Sequence, residues 1–148
     1  MVIPHQTIRE RRAFVDSSAY LAILDADDEH HQEATAILTR LATRRYRQFT
    51  TNVLLIEAHA LVLSTLGRDA VARFLVAMQR GATTIVRVRA SDEARAQALI
   101  LQHTDKGYSF ADAISFVVME RLGIRWAFTF DHHFAQYGLL ICDAQGLP

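Results

Sequence analysis

Several residue types are scarce in this chain, and each scarcity excludes a class of protein. Cys142 is the only cysteine, so a disulfide within the chain and a redox pair of two thiols are both excluded. Six glycines and two prolines in 148 residues leave no flexible linker or low-complexity tract. We therefore expect a single domain over residues 1–148, with residues 1–11 as a flexible N-terminal extension.

Long apolar runs are also missing. A membrane-spanning helix needs about 20 predominantly apolar residues in succession, and no such run occurs in this chain. The first residues lead from Met1 into three arginines (Arg9, Arg11 and Arg12) without the apolar core of a signal peptide. These features predict a cytoplasmic protein that does not associate with a membrane.

An excess of charge of one sign is lacking too, because sixteen basic residues balance sixteen acidic ones. This balance argues against a protein that binds nucleic acid through a strongly basic surface. Lys106 is the only lysine, so arginine, which makes forked contacts with phosphate, supplies nearly all the positive charge. Two stretches concentrate the arginines and could either contact phosphate or form ordinary solvated surface: Arg9, Arg11 and Arg12, and then Arg40, Arg44, Arg45 and Arg47.

Apolar residues are abundant, at 51% of the chain, and short apolar runs alternate with longer stretches of helical period. This pattern predicts an α/β fold with a largely parallel sheet. Strands are predicted at residues 13–15, 47–50, 83–88, 125–129 and 139–142. Helices are predicted at residues 17–24, 27–41, 52–66, 68–79, 91–103 and 109–122.

Four acidic residues lie within this apolar framework. Asp16 and Asp131 each end an apolar strand, whereas Glu57 and Asp112 lie in helices with apolar neighbours on nearly all sides. A buried carboxylate is normally paired, protonated or bound to a cation, and these stretches contain almost no lysine or arginine. Since ligands of open α/β sheets bind beyond the carboxyl ends of the strands, we expect the four acids to converge there around a shared metal ion.

A ligand set made only of oxygens favours Mg²⁺ or Mn²⁺ over Zn²⁺. Such ions activate water and neutralise phosphoryl oxygens, so the pattern predicts chemistry on phosphodiesters. His132 and His133 adjoin Asp131 but are weaker candidates for ligands, because the inferred metal prefers oxygen. Removing the four acids from the sixteen leaves twelve against sixteen basic residues, so the remaining surface is expected to be net positive.

Each acid also has an ordinary structural explanation. Asp16 could cap the helix that follows it, and Asp131 could begin a turn. Asp112 stands three residues after Ser109, the spacing of a capping box. Glu57 could pair with a distant arginine. These alternatives stay open for single residues, and the metal hypothesis depends on the four acids together.

Four pieces of the chain, taken in order, match a known pattern: residues 14–18 (Phe-Val-Asp-Ser-Ser), Glu57 in its apolar helix, residues 105–113 (Asp-Lys-Gly-Tyr-Ser-Phe-Ala-Asp-Ala) and residues 129–134 (Thr-Phe-Asp-His-His-Phe). With these pieces the chain resembles the PIN-domain ribonucleases, and within them the VapC-like toxins of bacterial toxin-antitoxin pairs. The resemblance implies a PIN-like three-layer fold, with a central, mainly parallel sheet of about five strands flanked by helices. It also implies cleavage of RNA that depends on Mg²⁺ or Mn²⁺, neutralisation by a cognate antitoxin protein, and a homodimer.

The resemblance also implies roles for individual residues. Asp16, Glu57, Asp112 and Asp131 look like the acidic quartet. Our hypothesis is that Asp16 and Asp112 hold the principal metal ion, that Asp131 completes its shell directly or through water, and that Glu57 serves a second ion or orients water. Ser109 and Thr129 lie at positions that often assist the quartet. Asp105 also looks like a recurrent acid of the family, which either ligates metal or anchors its loop.

Three other functions compete with this hypothesis. A non-catalytic PIN-like module that binds RNA or protein would keep the fold without the reaction. A phosphatase of the haloacid-dehalogenase kind needs a second aspartate two residues after the first, where this chain has Ser18. A receiver domain needs a lysine at the end of a strand, whereas Lys106 lies in a predicted loop. The sequence therefore favours the endoribonuclease, with the non-catalytic module as its alternative.

Overall fold

A computed structural model describes residues 10–148, in which short strands alternate with helices. The predicted flexible extension, residues 1–11, therefore lies outside the described residues except for its last two positions. The strands are β1 (Arg12–Val15), β2 (Arg47–Thr51), β3 (Thr84–Val86), β4 (Trp126–Phe128) and β5 (Leu140–Ile141). The helices are α1 (Ser17–Leu24), α2 (His31–Thr43), α3 (Asn52–Leu66), α4 (Arg68–Arg80), α5 (Ala90–Gln102), α6 (Phe110–Leu122) and α7 (His132–Tyr137).

The five strands form one sheet in the order β3-β2-β1-β4-β5, and every pair is parallel. The chain builds outward from β1 through β2 to β3, and then crosses to the other side of β1 for β4 and β5. The prediction of an α/β fold with a five-stranded, mainly parallel sheet is confirmed.

Alternation along β1 divides the core into two layers of helices. Ala13 and Val15 pack in a cluster with residues of α1, α2 and α4, whereas Phe14 packs with residues of α5, α6 and α7. Successive side chains of a strand point to opposite faces, so a wholly apolar strand requires helices on both sides. The result is the predicted three-layer arrangement, with the sheet in the middle.

Local sequence accounts for the ends of the longest helices. The Thr51 hydroxyl accepts a hydrogen bond from the Leu54 amide at the start of α3, and Gly67 ends that helix with a φ of 86°. Helix α6 begins with a reciprocal capping box between Ser109 and Asp112 and ends at Gly123, which adopts the left-handed conformation. The positive φ values explain why glycine occupies both ends.

The clearest departures from the sequence prediction are two element boundaries and one additional helix. Helix α2 begins at His31 rather than at residue 27, because the Asp25 and Asp28 carboxylates accept amide hydrogen bonds and hold turns in between. Strand β3 ends at Val86 rather than at residue 88, since the Val88 amide donates to the Asn52 side chain. Helix α7 was not predicted, because six residues are too few to display a helical period.

No helix within residues 10–148 is long and apolar enough to cross a membrane.

Candidate active site

Asp16 and Asp131 follow the neighbouring strands β1 and β4 at the carboxyl edge of the sheet. The Asp16 amide donates to the carbonyl of Phe128, the last residue of β4, at 3.0 Å. The order of the strands reverses between these two strands, which makes this edge the topological switch point where open α/β sheets bind ligands. The sequence prediction placed these two acids at the correct edge.

The Asp16 carboxylate is held by hydroxyl groups and does not cap α1. Its Oδ2 accepts hydrogen bonds from the Ser18 hydroxyl at 2.7 Å and the Thr129 hydroxyl at 2.9 Å, and its side chain makes no capping bond to the helix backbone. Its side chain and backbone together are only 3% exposed. The capping explanation for Asp16 is therefore wrong.

Glu57 reaches the same group from α3. The hydroxyl of Ser17 donates a hydrogen bond to the Glu57 carboxylate, and the negative charge of Glu57 acts on Asp16. Ser17 is the first residue of α1, and α1 packs closely against α3. Glu57 lies partly buried at this helix contact.

Asp112 and Asp131 form a second pair, with the imidazole of His133 between them. The Nδ1 atom of His133 lies 3.1 Å from Asp131 Oδ1 and 3.3 Å from Asp112 Oδ2. This nitrogen is buried and makes no hydrogen bond of acceptable geometry within the described part of the chain. Asp131 also caps α7 by accepting a hydrogen bond from the His133 amide at 2.9 Å.

Asp112 forms the capping box predicted for it and also belongs to this pair of acids. Its Oδ2 accepts a hydrogen bond from the Ser109 amide at 3.1 Å, while its own amide donates to the Ser109 hydroxyl at 3.0 Å. The two explanations are compatible, because the bonds occupy only one carboxylate oxygen. The other oxygen, Oδ1, has no hydrogen-bond partner among residues 10–148.

Thr129 joins the two pairs into one chain of contacts. Its hydroxyl donates to Asp16 and accepts a hydrogen bond from the Asp131 amide at 3.0 Å. The order of contacts is Glu57, Ser17, Asp16, Thr129, Asp131, His133 and Asp112.

The acids gather at one edge but not at one point. The only group of three potential metal ligands whose donor atoms lie within 4.8 Å of one another, among the residues described, is Asp131, His132 and His133. No three of the four acids meet that spacing, which agrees with the mutual repulsion of carboxylates that have no cation between them. The hydroxyl and imidazole groups between them therefore form part of the site.

Burial makes ionisation of two of the acids unfavourable. It raises the pKa of Asp16 above its ordinary value, and the charge of Glu57 adds to that shift against the opposing hydrogen bonds from Ser18 and Thr129. Burial likewise raises the pKa of Asp112, and the charge of Asp131 adds to it. A positive charge at this edge would stabilise the ionised forms of both.

Lysine and arginine do not supply that charge. Within residues 10–148, the ion-pair contacts of the four acids are with imidazoles, those of His132 and His133. Carboxylate and hydroxyl oxygens are the donors that Mg²⁺ and Mn²⁺ prefer, so the residues present fit a hard divalent ion. The explanation that pairs Glu57 with a distant arginine has no support among the described contacts.

The three supporting residues predicted from the sequence lie in different places. Thr129 and Ser109 contact the acids directly, as described above. Asp105 instead has a side chain that is 74% exposed and pairs with Lys106 at 3.7 Å, outside the chain of contacts. An ion pair with the next residue does not tie the loop to another element, so both roles considered for Asp105, metal ligand and loop anchor, stay predictions.

Sequence reasoning gave too little weight to Ser18 and His133. The Ser18 hydroxyl donates to Asp16 and accepts a hydrogen bond from the Phe130 amide at 3.0 Å, so it ties α1 to the segment after β4. The only available signal for Ser18 was its position in the first turn after Asp16. His133 was underrated because α7 was not predicted, and a helical start at Asp131 turns the second residue of the helix back toward the acids.

A family model for the PIN domain matches residues 13–140, a range that includes all four acids. The chain belongs to the PIN-domain family. The resemblance stated from the sequence is thereby confirmed, and the edge that carries the acids is the carboxyl edge of a PIN-domain sheet.

Two relatives from Mycobacterium tuberculosis support the placement among VapC proteins. Both are described as 23S rRNA-specific endonuclease VapC20, one from strain CDC 1551 and one from strain H37Rv. Each is 34% identical to this PIN domain over 131 residues, which cover 86% of this chain and 95% of the relative.

Solved structures show the same fold. The crystal structure of VapC20 from M. tuberculosis, described as a sarcin-ricin loop cleaving toxin, matches with a TM-score of 0.78 and 29% identity, covering 86% of this chain and 96% of that one. FitAcB from Neisseria gonorrhoeae matches with a TM-score of 0.66 and 13% identity over 91% of this chain and 99% of its own. At that identity the second match supports the fold alone.

Proposed function

We propose that this PIN domain is an endoribonuclease that depends on a divalent metal ion and acts as the toxin of a toxin-antitoxin pair. One observation carries the proposal: four carboxylates at the topological switch point are linked by hydroxyl and imidazole groups, and neither lysine nor arginine contacts them in the described chain. The relation to an rRNA endonuclease, over nearly the whole length of that relative, supports the same activity.

Asp16 and Asp112 are proposed to hold the principal ion, Mg²⁺ or Mn²⁺, with Asp131 completing its shell. Glu57 is proposed to serve a second ion or to orient water. When bound, such an ion acidifies a water molecule and neutralises charge on the phosphate. Without it, each carboxylate would repel a phosphodiester by about 4 kcal/mol at 4 Å with an effective dielectric constant near 20. The acids therefore admit the substrate only together with a cation.

The neighbouring side chains hold these acids in position. Ser18 and Thr129 both donate to Oδ2 of Asp16, which limits rotation of the carboxylate. The Ser109 amide does the same for Oδ2 of Asp112 and leaves Oδ1 free to act as a ligand. Such supporting contacts around metal ligands typically change metal affinity or activity by about 10-fold to 100-fold when they are removed.

The activity is tested by incubating the protein with RNA and Mn²⁺. We expect cleavage by the unaltered chain and a rate at least about 100-fold lower for Asp112→Asn, the loss seen when one electrostatic stabiliser of a transition state is removed. A matched control is Asp69→Asn, which alters an exposed carboxylate on α4 remote from the site. Cleavage that survives both EDTA and Asp112→Asn would contradict the proposal, and tight RNA binding without cleavage would favour the non-catalytic module.

We propose 23S rRNA as the substrate, because the relative that is 34% identical is described as specific for it. The test compares ribosomes with an unrelated single-stranded RNA of similar length under the same Mn²⁺ concentration. Cleavage at one position in 23S rRNA, with slow and scattered cleavage of the other RNA, is the expected result. Equal cleavage of both RNAs would contradict the assignment of 23S rRNA as the substrate but would still support the nuclease activity.

We also propose a cognate antitoxin and a homodimer for this chain. Helix α3 supports an association surface, since Ile56 and Leu63, seven residues apart on one side of the helix, are 69% and 45% exposed. A large apolar side chain that remains exposed on a helix is commonly covered in an assembly.

A further inference from the structure

The amino edge of the sheet, opposite the acids, carries arginines on three neighbouring strands. Arg12 at the start of β1 lies opposite Arg47 at the start of β2. Because Ala13 lies opposite Trp126, the preceding residue Arg125 lies beside Arg12 on the other flank. Neighbouring strands are about 4.8 Å apart, so three guanidinium-bearing positions stand in a row.

The two arginine clusters of the sequence meet at this row. The Arg47 amide donates to the carbonyl of Arg11 at 2.7 Å, and the Arg11 guanidinium donates to the carbonyl of Arg44 at 3.0 Å. We use the name arginine edge for Arg11, Arg12, Arg47 and Arg125. Tertiary structure thus concentrates charges that are more than 100 residues apart in the chain, from Arg11 to Arg125.

Little of this positive charge is neutralised. Glu10 pairs with Arg47, whereas Arg11, Arg12 and Arg125 contact no carboxylate within residues 10–148. Residues 1–9 contain no aspartate or glutamate that could pair with them. The Arg12 guanidinium donates to the carbonyls of Leu122 and Gly123, but those bonds are made to neutral groups and leave its charge in place.

A cavity of about 700 Å³ opens beside the arginine edge. Arg11, Arg12 and Arg125 line it together with Glu10, the partner of Arg47, and with the buried Tyr46 and the partly exposed Trp126. Guanidinium groups bind phosphate by forked hydrogen bonds, and an aromatic ring offers a face on which a base can stack. The lining therefore has the chemistry that contacts a nucleotide unit of RNA.

This surface is separate from the acids. Asp16 lies four positions after Arg12, just beyond β1, a distance of about 13 Å at 3.3 Å per residue. A dinucleotide bound at the acids is too short to span this distance, whereas a long RNA can extend to the arginine edge. The two edges could therefore act on one substrate without sharing a residue.

We propose that the arginine edge and its cavity bind the sugar-phosphate backbone of RNA and hold a long substrate independently of its sequence. The inference rests on the proposed function, since it assigns a second contact to the same RNA. Neutralised phosphates release counterions, so the contact is measured by the dependence of binding on salt, with a slope of about 0.7 per phosphate for a single strand.

The test uses Asp112→Asn protein and a labelled single-stranded RNA of 30 nucleotides over a series of salt concentrations. Arg11→Gln/Arg125→Gln removes two exposed charges from the cavity, while Arg73→Gln/Arg80→Gln, on the exposed side of α4, removes the same net charge elsewhere. We expect the slope of log K against log salt to become shallower by about 1.4 in the first pair and to be unchanged in the second. Equal slopes in the two double variants would overturn the proposal.

A second measurement separates the two sites. With Asp112 intact, Arg11→Gln/Arg125→Gln should raise KM for the 30-nucleotide RNA, leave kcat unchanged, and leave kcat/KM for a dinucleotide unchanged. An equal loss on both substrates would contradict a separate contact.

Binding of ATP distinguishes RNA from a free nucleotide as the ligand. If ATP binds in a manner that depends on Arg11 and Arg125, while the salt dependence of RNA binding does not change, the ligand is a free nucleotide and the RNA assignment is wrong. If the unaltered chain cleaves no RNA, the proposed function fails, and the salt slope still decides this inference.

Discussion

Asp16 and Asp112 lie where their charged forms, which a metal site requires, are disfavoured. Burial is the main cause for each, and the nearby charge of Glu57 or Asp131 adds to it. In the native protein both pKa values lie above 3.8, so native protein binds more protons than unfolded protein between 3.8 and the raised values. The stability contributed by these groups is complete below 3.8 and is lost as the pH rises through the raised values.

At neutral pH the protein without metal should therefore be destabilised by its own site. We expect Asp16→Asn and Asp112→Asn to raise the melting temperature in EDTA at pH 7. Mn²⁺ at 100 times its Kd should stabilise the unaltered chain by about 2.7 kcal/mol and should stabilise each variant less. Thermal unfolding with and without Mn²⁺ measures both effects, with Asp69→Asn as the control that should match the unaltered chain. An unchanged response to Mn²⁺ in Asp112→Asn would contradict its role as a ligand.

At the scale of the elements, a buried ion pair joins α5 to α6, the helix that presents Asp112. The Arg121 guanidinium donates to both oxygens of Asp92, at 2.9 and 2.8 Å, and holds the pKa of Asp92 below its usual value. Asp92 is 1% exposed and also accepts a hydrogen bond from the Arg89 amide at the start of α5. The pair therefore connects the start of one helix with the end of the next.

Removing one member of this pair should be far more damaging than removing a surface pair. Arg121→Ala would leave the buried Asp92 charge without its partner, and we expect it to lower the free energy of unfolding by about 3 kcal/mol. Arg95→Ala is the control, because its pair with Glu120 is about half exposed and should contribute less than about 1 kcal/mol. Urea denaturation at pH 7 measures both. Since the pKa of Asp92 is lowered, the contribution of the pair is present above pH 3.8 and is lost as the pH falls through the native value.

Across the whole molecule, a net charge of zero conceals two edges of opposite character. The carboxyl edge of the sheet collects Asp16, Asp112 and Asp131, whereas the amino edge collects Arg12 and its neighbours. Parallel strands produce this separation, because residues that precede strands gather at one edge and residues that follow strands gather at the other. Average charge therefore says little about where an anionic substrate would bind.

Partners are also a property of the whole molecule. We expect the chain alone to behave as a homodimer, with a mass twice 16.7 kDa by light scattering, and to co-purify with the product of a small neighbouring open reading frame. Expression of that product should relieve toxicity, and Asp112→Asn should be non-toxic without it. A chain that stays monomeric would contradict the dimer. Toxicity that no neighbouring product relieves would contradict the antitoxin and leave the nuclease activity untouched.

The sequence by itself determined the order of the elements, the parallel sheet and the candidate acids. Apolar runs of strand length, helical periods and caps such as Ser109 are local signals, and each acts over a few residues. They were least accurate where the signal is short, as in the six residues of α7, or where side chains redirect the backbone, as at Asp25 and Asp28.

Only the tertiary structure decided which groups meet. The bridge from Asp16 through Thr129 to Asp131, the imidazole of His133 between two acids, and the pairing of Asp92 with Arg121 all join residues by folding. The same holds for the row formed by Arg47, Arg12 and Arg125, which strand register assembles. A side chain's contacts and charge environment depend on neighbours that are distant in the chain, and no local pattern encodes that distance.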